Sequence, residues 1–580
     1  MATQRKAEDS ALSKVLFLFF RRMRAPLIVL ISAYSISIGG LVLIPGVDEN
    51  GNVWRFDFFH AFYFVSFMGS TIGFGEIPHA FSAAQRLWVA FCIFFTVIAW
   101  LYAIGRIFSL MQDPAFSRAT TEARFIMGVR QIRQPFTIVC GYGETGSLLV
   151  RAMAHRGMQC VVLDKQQTNI DSLLLENLGM DIPAFCADAS VTRHLLEAGI
   201  RKSLCRGVVA ITDSDSVNVK IAVTAKLLKP GISVIARAGI QESVDNLASF
   251  NTDHIINAYE VFGEHLAMTQ RTPSVHLLHA WLISLPKREL HPPVTPPKGN
   301  WVVCGYGRFG SSCARYLEAE GNNVQVIESN TEKAPDGAVV GRGTEAGPLL
   351  EAGIRDAVGI VVGADSDTNT LSALITAREL NPELYLVARQ DRRADTEIFQ
   401  AADIDLIMEP SRIIVWRILP LLYTPLLSRF LRLLRQGTEA DAQDLIDRIR
   451  EMCGGVTPET WSFEVAPESA TALYAAIDKG EDIRISHILS TPTDRSKPLP
   501  CIALLLNRGE KNYMLPDPDM QLQRGDRIVL TARHGTRTTM DWLLYNPKAL
   551  EYAVTGNELP DGSIWRWLAK RRDNSKLLSN

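Results

Sequence analysis

Two long runs of uncharged, mostly apolar residues near the amino terminus constrain the fold more than any other feature of this sequence. Residues 25–47 and 87–105 contain no charged side chain. A hydrocarbon core about 30 Å thick is crossed by about 20 helical residues, so each run is long enough to span it. We therefore predict spans at 25–47 and 86–110, and a multi-pass protein of the cell (inner or plasma) membrane.

Basic residues flank the two predicted spans on their outer sides. Because positive charge favours the cytoplasmic side of a membrane, both termini are predicted to be cytoplasmic. Residues 1–24 then form a cytoplasmic segment, in which residues 11–20 either lie along the membrane surface or extend the first span. The flanking arginines are Arg21, Arg22, Arg24, Arg106, Arg118 and Arg124.

The connection between the spans holds an apolar, aromatic segment that is too short to cross the membrane. This segment predicts a pore helix at 57–69, which leads into Thr71-Ile72-Gly73-Phe74-Gly75. Glycine tolerates mirror-image dihedrals, so two glycines at alternate positions allow a backbone whose carbonyls point one way. Rings of such carbonyls replace the hydration shell of K+, and the negative end of the short helix would face the cation path.

The pentapeptide at 71–75 resembles the K+-channel signature Thr-Val-Gly-Tyr-Gly. The resemblance implies a homotetramer in the lipid bilayer, with the permeant K+ held at Thr71, Ile72, Gly73 and Phe74. Relatives often carry a hinge glycine in the middle of the inner helix, but the second span here has only Gly105, near its cytoplasmic end. We therefore expect the helix to pivot near Gly105 or to tilt as a rod. Neither span carries an arginine array, so no voltage sensor is expected.

Charge and cysteine usage restrict the function of the remaining chain. The 60 Lys and Arg nearly balance the 62 Asp and Glu, which argues against a nucleic-acid partner. The nine cysteines form no CxxC pair and are expected to be reduced thiols facing the cytosol. A polar, basic linker at 111–134 joins the predicted pore domain, 25–110, to this soluble part.

A strand, a glycine loop, a helix and a strand ending in an acid occur twice in the soluble part. The loops are Gly141–Gly146 and Gly305–Gly310, and the acids are Asp164 and Glu328, both at an offset of 164 residues. Such loops let backbone N–H groups approach phosphates at a helix N-terminus, while the acid binds a ribose diol. Further landmarks recur downstream, so we predict a duplicated nucleotide-binding α/β domain.

The two copies, 135–291 and 300–436, resemble RCK (TrkA-N) domains. The resemblance predicts a membrane α-helical pore fused to two α/β Rossmann-like RCK domains and a β-rich C-terminal lobe, with the lobe and tail at 437–580. It implies that four subunits place eight such domains in a gating ring that pulls on the inner helices through the linker. A third span at 406–434 is an alternative. It is disfavoured by Arg412, Arg417, Arg429, Pro420 and Pro425.

The first copy carries the residue types expected for NAD(H). Asp164 would bind ribose hydroxyls and repel a 2′-phosphate, and Glu144 would oppose an extra terminal phosphate. By resemblance, Asp188 and Ala189 contact the adenine, and three further residues line the cleft. The predicted first site comprises Gly141, Tyr142, Gly143, Glu144, Thr145, Gly146, Asp164, Asp188, Ala189, Thr212, Asp213 and Arg237.

The second copy differs where ligand chemistry is decided. Arg342 stands where the first copy has Asp188, so a carboxylate contact to adenine is lost there. Arg308 resembles the arginine of ATP/ADP-binding potassium-uptake regulators, which meets terminal phosphates. We predict ADP or ATP in this copy, with an empty scaffold as the alternative. The predicted second site comprises Gly305, Tyr306, Gly307, Arg308, Phe309, Gly310, Glu328, Arg342, Gly343, Asp365 and Arg389.

A calcium site is a weaker hypothesis. Asp253 and Asp405 occupy equivalent places in the two copies, where some relatives use an aspartate as a Ca2+ ligand. Calcium prefers about six to eight oxygen ligands, and one carboxylate per copy falls far short of that number. Capping or solvated aspartates are the favoured interpretation.

The sequence as a whole predicts a non-enzymatic, tetrameric K+ channel gated by cytosolic ligands. Two alternatives stay open: a membrane-anchored NAD-dependent oxidoreductase, and a regulatory subunit of a K+ transporter. Against the first, no substrate domain with a convergent acid–base pair is evident. Against the second, the chain has a filter segment of its own.

Overall fold

The computed structural model describes residues 2–47, 51–73, 75–76, 79–283, 289 and 295–556, with only the backbone described for residues 2–16, 18, 423 and 425. Phe74 of the predicted filter and the tail at 557–580 lie outside the described residues. The chain divides into two compact units. The first comprises residues 1–138, 160–175 and 181–206, and the second comprises residues 139–159, 176–180 and 207–580.

The amino-terminal part is helical, and two of its helices are long and apolar enough to cross a membrane. The candidate spans are Phe19–Leu43 and Ala83–Met111. The elements are α1 (Ala2–Leu43), β1 (Gly46–Val47), β2 (Val53–Trp54), α2 (Phe58–Gly69), α3 (Ala83–Met111) and α4 (Pro114–Gln131).

The first span differs from its predicted bounds at both ends. The helix ends at Leu43, whereas Val47 belongs to β1 and pairs with Val53 of β2. Pro45 explains the end of the helix, because proline disfavours helical dihedrals in the residue before it and offers no N–H to the helical ladder. At its other end α1 continues through residues 11–20 as helix, which agrees with the alternative that this segment extends the span.

The short helix α2 begins where its sequence predicts. Asp57 is its N-cap and accepts hydrogen bonds from the backbone N of His60, at 2.7 Å, and from His60 Nδ1, at 2.8 Å. The Phe64 ring of α2 packs against Phe56 and Phe81, whose rings also contact each other. This packing fixes the direction of the helix that leads into the filter segment.

The first copy forms a parallel sheet with helices between its strands. Its strand order, β5-β4-β3-β6-β7-β8, is that of a dinucleotide-binding fold. Its elements are β3 (Phe136–Cys140), α5 (Glu144–Ala154), β4 (Gln159–Asp164), α6 (Gln167–Leu175), β5 (Ala184–Cys186), α7 (Thr192–Glu197), β6 (Cys205–Ala210), α8 (Asp215–Leu228), β7 (Ser233–Arg237), α9 (Gln241–Ser249), β8 (His254–Ile256), α10 (Ala258–Arg271) and α11 (Pro273–Ile283).

The second copy repeats this order as β11-β10-β9-β12-β13-β14. Its elements are β9 (Asn300–Cys304), α12 (Arg308–Ala319), β10 (Asn323–Glu328), β11 (Val339–Val340), α13 (Ala346–Glu351), β12 (Gly359–Val362), α14 (Asp367–Leu380), β13 (Tyr385–Arg389), α15 (Thr396–Ala401), β14 (Leu406–Met408), α16 (Pro410–Tyr423) and α17 (Pro425–Leu434), with short 3-10 helices at Ile354–Asp356 and Arg393–Asp395.

Helices α16 and α17 form a sharp elbow, with 113° between their axes. The apolar side chains of α17, including Phe430 and Leu434, are buried in a core that also contains Leu504 and Val529 of the C-terminal lobe. This arrangement is not a straight span through 406–434. The prolines at 420 and 425 and the packing of α17 explain why an apolar segment of this length folds back instead.

The C-terminal lobe is an antiparallel sheet covered by helices, with strand order β15-β20-β18-β19 and a separate hairpin, β16–β17. Its elements are α18 (Glu439–Cys453), β15 (Glu459–Glu464), α19 (Thr471–Asp478), α20 (Ile485–Ile488), β16 (Ser490–Thr491), β17 (Asp494–Pro498), β18 (Cys501–Arg508), β19 (Lys511–Met514), β20 (Arg527–Ala532), α21 (Thr536–Tyr545) and α22 (Pro547–Thr555). The predicted fold class, a helical pore fused to two α/β domains and a third lobe, is confirmed.

Candidate functional site

The filter segment has an alternating backbone. Thr71, Gly73 and Gly75 adopt positive φ angles of 62°, 65° and 95°. Two of these positions are glycine, which reaches this region without steric cost. The backbone is therefore left-handed at every second residue, which is the alternation that a segment with aligned carbonyls requires. Ile72 is exposed, and Phe74 lies outside the described residues.

Glu76, immediately after the filter segment, is held by α3. Its two carboxylate oxygens accept hydrogen bonds from Arg86 Nε, at 2.8 Å, and Arg86 Nη2, at 3.1 Å, and the backbone N of Phe81 donates to it at 2.9 Å. The hydrogen bond from Arg86, and then that from Phe81, lowers the pKa of Glu76 below its ordinary value. The carboxylate is thereby fixed beside the carboxyl end of the predicted filter segment.

The two glycine loops have the geometry of phosphate-binding turns. Gly143 and Gly307 are the N-caps of α5 and α12, and neither helix start receives a side-chain cap. A Cβ at either of these glycines would meet no atom within 4 Å, whereas a Cβ at Gly146 or Gly310 would collide with the carbonyl of Gly141 or Gly305. Open space beside uncapped N–H groups fits a phosphate, and the last glycine of each loop is needed for close packing.

Three predicted residues of the first cleft lie in the second unit, at the carboxyl ends of β6 and β7. Thr212 donates from its backbone N and its hydroxyl to Oδ1 of Asn218, at 2.9 and 2.7 Å. The Asn218 amide also donates to the carbonyl of Arg237, at 3.1 Å. Arg237 lies 3.5 Å from the Asp213 carboxylate. The fully buried Asn218 therefore joins both strand ends, a role that we did not predict from the sequence.

Two other residues of the first loop, Tyr142 and Glu144, differ in burial. The Tyr142 ring is buried, and its hydroxyl contributes to lowering the pKa of Glu176, after the larger effect of Arg151. Arg151 forms a paired contact with Glu176, at 2.6 and 2.8 Å. Glu144, in contrast, is exposed at the first position of α5, where a carboxylate would oppose added phosphate charge.

The first unit carries Asp164, Asp188 and Ala189. Asp164, at the end of β4, accepts hydrogen bonds from the backbone N of Gln166, at 2.7 Å, and from the Asn169 amide, at 3.1 Å. Asp188, just after β5, accepts from the backbone N of Ser190 at 2.8 Å. Both carboxylates are thus oriented by local turns at the carboxyl edge of the sheet, the edge where ligands bind in this fold.

In the second copy, Glu328 reaches back to the glycine loop. One of its oxygens accepts from the backbone N of Tyr306 at 2.6 Å, and the other accepts from that of Asn330 at 2.9 Å. Burial raises the pKa of Glu328, but these hydrogen bonds outweigh burial and leave the pKa below its ordinary value. The carboxylate therefore stays ionised next to the predicted phosphate loop.

Arginines of the second cleft converge on Tyr259 of the first copy. The guanidinium carbons of Arg308 and Arg389 lie 5.2 and 5.5 Å from the centre of the Tyr259 ring, within cation–π range. Arg389 also pairs with Asp391 at 2.7 Å. Arg342 and Asp365 are exposed and Gly343 is half-buried, all three beside the carboxyl ends of their strands. Phe309 is buried under the loop, so its role is packing rather than contact with a ligand.

Within the second unit, the two copies exchange the helices that follow their sixth strands, α10 and α16. Helix α10 of the first copy packs on α12 of the second, where the Ser312 hydroxyl donates to the carbonyl of Tyr259 at 3.2 Å. Helix α16 of the second copy packs on α5 of the first, where the Thr145 hydroxyl donates to that of Ser411 at 2.9 Å. Each glycine loop is therefore faced by a helix from the other copy.

The proposed calcium ligands have structural partners instead. Asp253 accepts from the backbone N of Val234 at 2.7 Å and pairs with Lys226 at 2.6 Å. Asp405 accepts from the backbone N of Leu386, at 2.7 Å. Each aspartate ties the start of its copy's fifth strand to the segment before its sixth. Among the described residues there is no group of three or more His, Cys, Asp or Glu that could hold a metal ion.

Within the first unit, the linker helix α4 is attached to the segment that follows Asp188. Glu122 of α4 forms an ion pair with Arg193, which also contacts the buried Glu197 at 2.5 Å. The rings of Phe125 and Phe185 are stacked, with centres 5.2 Å apart. Through these contacts, a change at the end of β5 can be transmitted to α4, which follows α3 in the chain.

Both ends of α4 are also fixed. At its start, Asp113 caps the helix by accepting from the backbone N of Ala115 at 2.8 Å, and it pairs with Arg22 of α1 at 2.9 Å. At its end, Lys202 donates to the carbonyl of Val129 at 2.7 Å and to that of Arg130 at 3.2 Å. A cation at the C-terminus of a helix satisfies its last carbonyls. The linker, which the sequence predicts only to be polar and basic, contains a helix whose two ends are both fixed by side-chain contacts.

Comparison with known proteins agrees with this architecture of a membrane pore joined to duplicated nucleotide-binding domains. The Ion channel family matches residues 27–113, and the TrkA-N domain matches residues 137–258 and 301–410. Potassium channel protein 1 of Methanocaldococcus jannaschii is 29% identical over 238 residues, which cover 40% of this chain and 68% of that protein.

Two further similarities concern the soluble part and the fold. A Trk system potassium uptake protein TrkA homolog of Pyrococcus horikoshii is 32% identical over 165 residues, covering 26% of this chain and 72% of that protein. A solved structure of the GsuK channel bound to NAD has a TM-score of 0.47 and 15% identity, covering 92% of this chain and 99% of that one. The chain belongs to the potassium channels that combine two membrane-spanning helices with TrkA-N (RCK) domains.

Proposed function

We propose that this chain forms a homotetrameric K+-selective channel whose opening is controlled by nucleotides bound in a cytosolic ring of eight RCK domains. NAD(H) occupies the first copy and ADP or ATP occupies the second, with both chain termini in the cytoplasm. The observation that carries the ligand proposal is the open space at Gly143 and Gly307, beside helix starts that no side chain caps. Ion selection is assigned to residues 71–75, supported by the left-handed backbone at Thr71, Gly73 and Gly75.

The difference between the two ligands rests on charge at the loops. Glu144 is exposed at the start of α5, and a carboxylate there repels a terminal phosphate. Arg308 occupies the same position in α12, and its guanidinium can leave the Tyr259 ring to pair with phosphate oxygens. Asp164 and Glu328 supply the acids for the ribose hydroxyls. The first site is therefore suited to a dinucleotide with internal phosphates, and the second to a nucleotide with terminal ones.

Potassium flux from liposomes that contain the purified full-length channel tests ion conduction. We expect flux in the wild-type channel and none in Gly73→Asp, in which a carboxylate and a strained left-handed residue replace a filter glycine. Equal passage of Na+ and K+ would contradict the assignment of residues 71–75. The same assay with added NAD(H), ADP or ATP tests gating, because a ligand changes flux only if it binds the open and closed states differently.

Isothermal titration of the full-length channel tests each ligand. We expect Asp164→Ala to weaken NAD binding by at least about tenfold, consistent with the loss of hydrogen bonds to a charged group. Asp171→Ala is the matched control, because this carboxylate lies on α6, where Gln167 donates to it. Unchanged NAD affinity in Asp164→Ala would refute the first assignment. The second copy is unaltered in Asp164→Ala. If this variant binds neither ADP nor ATP, the empty-scaffold alternative for the second copy is favoured.

A further inference from the structure

A large cavity lies at the elbow between α16 and α17, away from both glycine loops. Its volume is about 1020 Å³, and its walls come from β8, α11, the elbow itself, and β15 with the start of β20. Sites for small molecules commonly have volumes of about 300–1,000 Å³, so this cavity has room for a nucleotide. All its lining residues belong to the second unit.

The charge of the cavity is strongly positive. Five arginines line it against two carboxylates, those of Asp253 and Glu464. The two carboxylates are already engaged, since Asp253 pairs with Lys226 at 2.6 Å and Glu464 pairs with Arg527 at 2.9 Å. The lining arginines are Arg417, Arg429, Arg432, Arg435 and Arg527.

Helix α17 and its C-cap present three of these arginines at intervals of three residues: Arg429, Arg432 and Arg435. Positions three apart share one face of a helix, while the opposite face of α17 is buried in the apolar core. In the described part of the chain, neither Arg429 nor Arg432 has a carboxylate within ion-pair distance. Both side chains are exposed at the cavity wall.

The other two elbow arginines share a single carboxylate. Glu264 of α10 forms an ion pair with Arg435 and lies 3.8 Å from Arg417. Arg417 is only 35% exposed. Burial lowers the pKa of Arg417, and the nearby charge of Arg435 adds to that effect. One carboxylate does not neutralise two guanidinium groups, so the inner wall keeps a positive charge that an anion would stabilise.

We propose that this cavity binds a small anion carrying two or more phosphate groups, held mainly by Arg429 and Arg432 and completed by Arg417. Guanidinium groups bind phosphate oxygens through paired, charge-assisted hydrogen bonds, and several arginines in one cavity match several phosphates. The site does not depend on which nucleotide occupies either glycine loop. Because it joins the elbow of the second copy to β8 of the first, a bound anion would hold these elements together.

Binding of inorganic tripolyphosphate to the full-length channel tests this site. A background carrying Gly143→Ala and Gly307→Ala removes the open space at both glycine loops, so that the remaining binding is assigned to the cavity. In that background we expect tripolyphosphate to bind, and Arg429→Gln with Arg432→Gln to weaken binding by at least about tenfold. The lysine pair at the same positions should bind with intermediate affinity, because it keeps the charge but loses the paired geometry.

Matched controls separate this site from general charge effects and from the nucleotide proposal. Arg355→Gln with Arg448→Gln removes two exposed arginines elsewhere and should leave tripolyphosphate binding unchanged. Without the glycine substitutions, NAD affinity should be the same with and without the Arg429 and Arg432 changes. If tripolyphosphate does not bind, or binds equally well after both arginines are replaced, the proposal is wrong, whatever NAD does.

Two further ligands identify the source of the phosphate. Tighter binding of ATP than of tripolyphosphate would identify a nucleotide, with Trp416 and Phe463 on the cavity wall available to contact its base. Equal binding of the two would identify an inorganic polyphosphate. Binding of AMP as tightly as ATP would contradict a site that recognises more than one phosphate group.

Discussion

The hydroxyl groups of Thr145 and Ser411 are joined by a hydrogen bond of 2.9 Å across 266 residues of sequence. Thr145 belongs to the first glycine loop, and Ser411 lies in the first turn of the second copy's exchanged helix, α16. The equivalent place in the other copy is filled by Tyr259, next to Arg308. The environment of each loop is therefore set by a residue of the other copy.

We predict that Thr145→Val, which keeps the shape of the side chain, destabilises the channel by about 1 kcal/mol, because the half-buried Ser411 hydroxyl loses its partner. NAD-dependent flux should weaken, while ADP or ATP binding should not change. Thermal unfolding and liposome flux measure the two effects. Ser147→Ala is the control, since its hydroxyl bonds only within α5, to the carbonyl of Glu144; an equal effect there would contradict a special role for the contact.

Glycines within one loop should respond differently to alanine. Gly307→Ala adds a Cβ that meets no neighbour, so folding should be preserved while the space for a phosphate is filled. Gly310→Ala places a Cβ against the carbonyl of Gly305, so the loop must shift and stability should fall by about 1–3 kcal/mol. Titration with ADP and thermal unfolding distinguish the two outcomes. Full ADP affinity in a stable Gly307→Ala channel would contradict the second site.

The ion pair between Glu122 and Arg193 should transmit ligand binding to the pore. Because a partly exposed pair contributes about 1 kcal/mol or less, Glu122→Gln should leave NAD affinity within about twofold of the wild-type value. The NAD-dependent change in flux should be reduced, because the charged contact between α4 and Arg193 is lost. Because Arg193 also pairs with the buried Glu197, the double variant with Arg193→Gln should be no worse than Arg193→Gln alone. Purely additive losses in this cycle would show that the two residues act separately.

We predict that the contact of Glu76 with Arg86 determines the lowest external pH at which the channel conducts. The pKa of Glu76 is lower in the folded channel than in the unfolded chain, so the ionised carboxylate stabilises the channel above the unfolded pKa. This stabilisation is lost as the external pH falls through the lower, folded pKa. In Arg86→Gln the pKa returns toward an ordinary glutamate value, about 4.3. Flux should then fail at a higher external pH than in the wild-type channel. Identical pH profiles would contradict this coupling.

Local patterns in the sequence were sufficient to predict the helices and strands to which phosphate and ion binding are assigned. Hydrophobic runs, a buried strand before each glycine loop and an acid after the next strand depend only on neighbouring residues. The N-cap of α2 at Asp57 and the start of β3 at Phe136 coincide with those patterns.

The exchange of α10 and α16 between the copies could not be predicted in this way, because it depends on packing between residues far apart in sequence. The sequence does carry one feature common to the two helices: each is followed by Thr-Pro, at Thr272 and Thr424. The two threonines have nearly equal dihedral angles, with φ of −141° and −139°. The three evenly spaced arginines of α17 were also visible, but their common face becomes apparent only once the helix is placed against a cavity.

The duplicated domains have diverged in length beside their acids. The offset between copies is 164 residues at Asp164 and Glu328, but only 154 at Asp188 and Arg342, because a short turn in the second copy replaces α6 and the loop that follows it. The segment next to Glu328 is therefore shorter than the one next to Asp164 and, as the structure describes it, contains no helix. A chimaera carrying two identical copies would lose this asymmetry, and we expect it to respond to one class of nucleotide instead of the two proposed here.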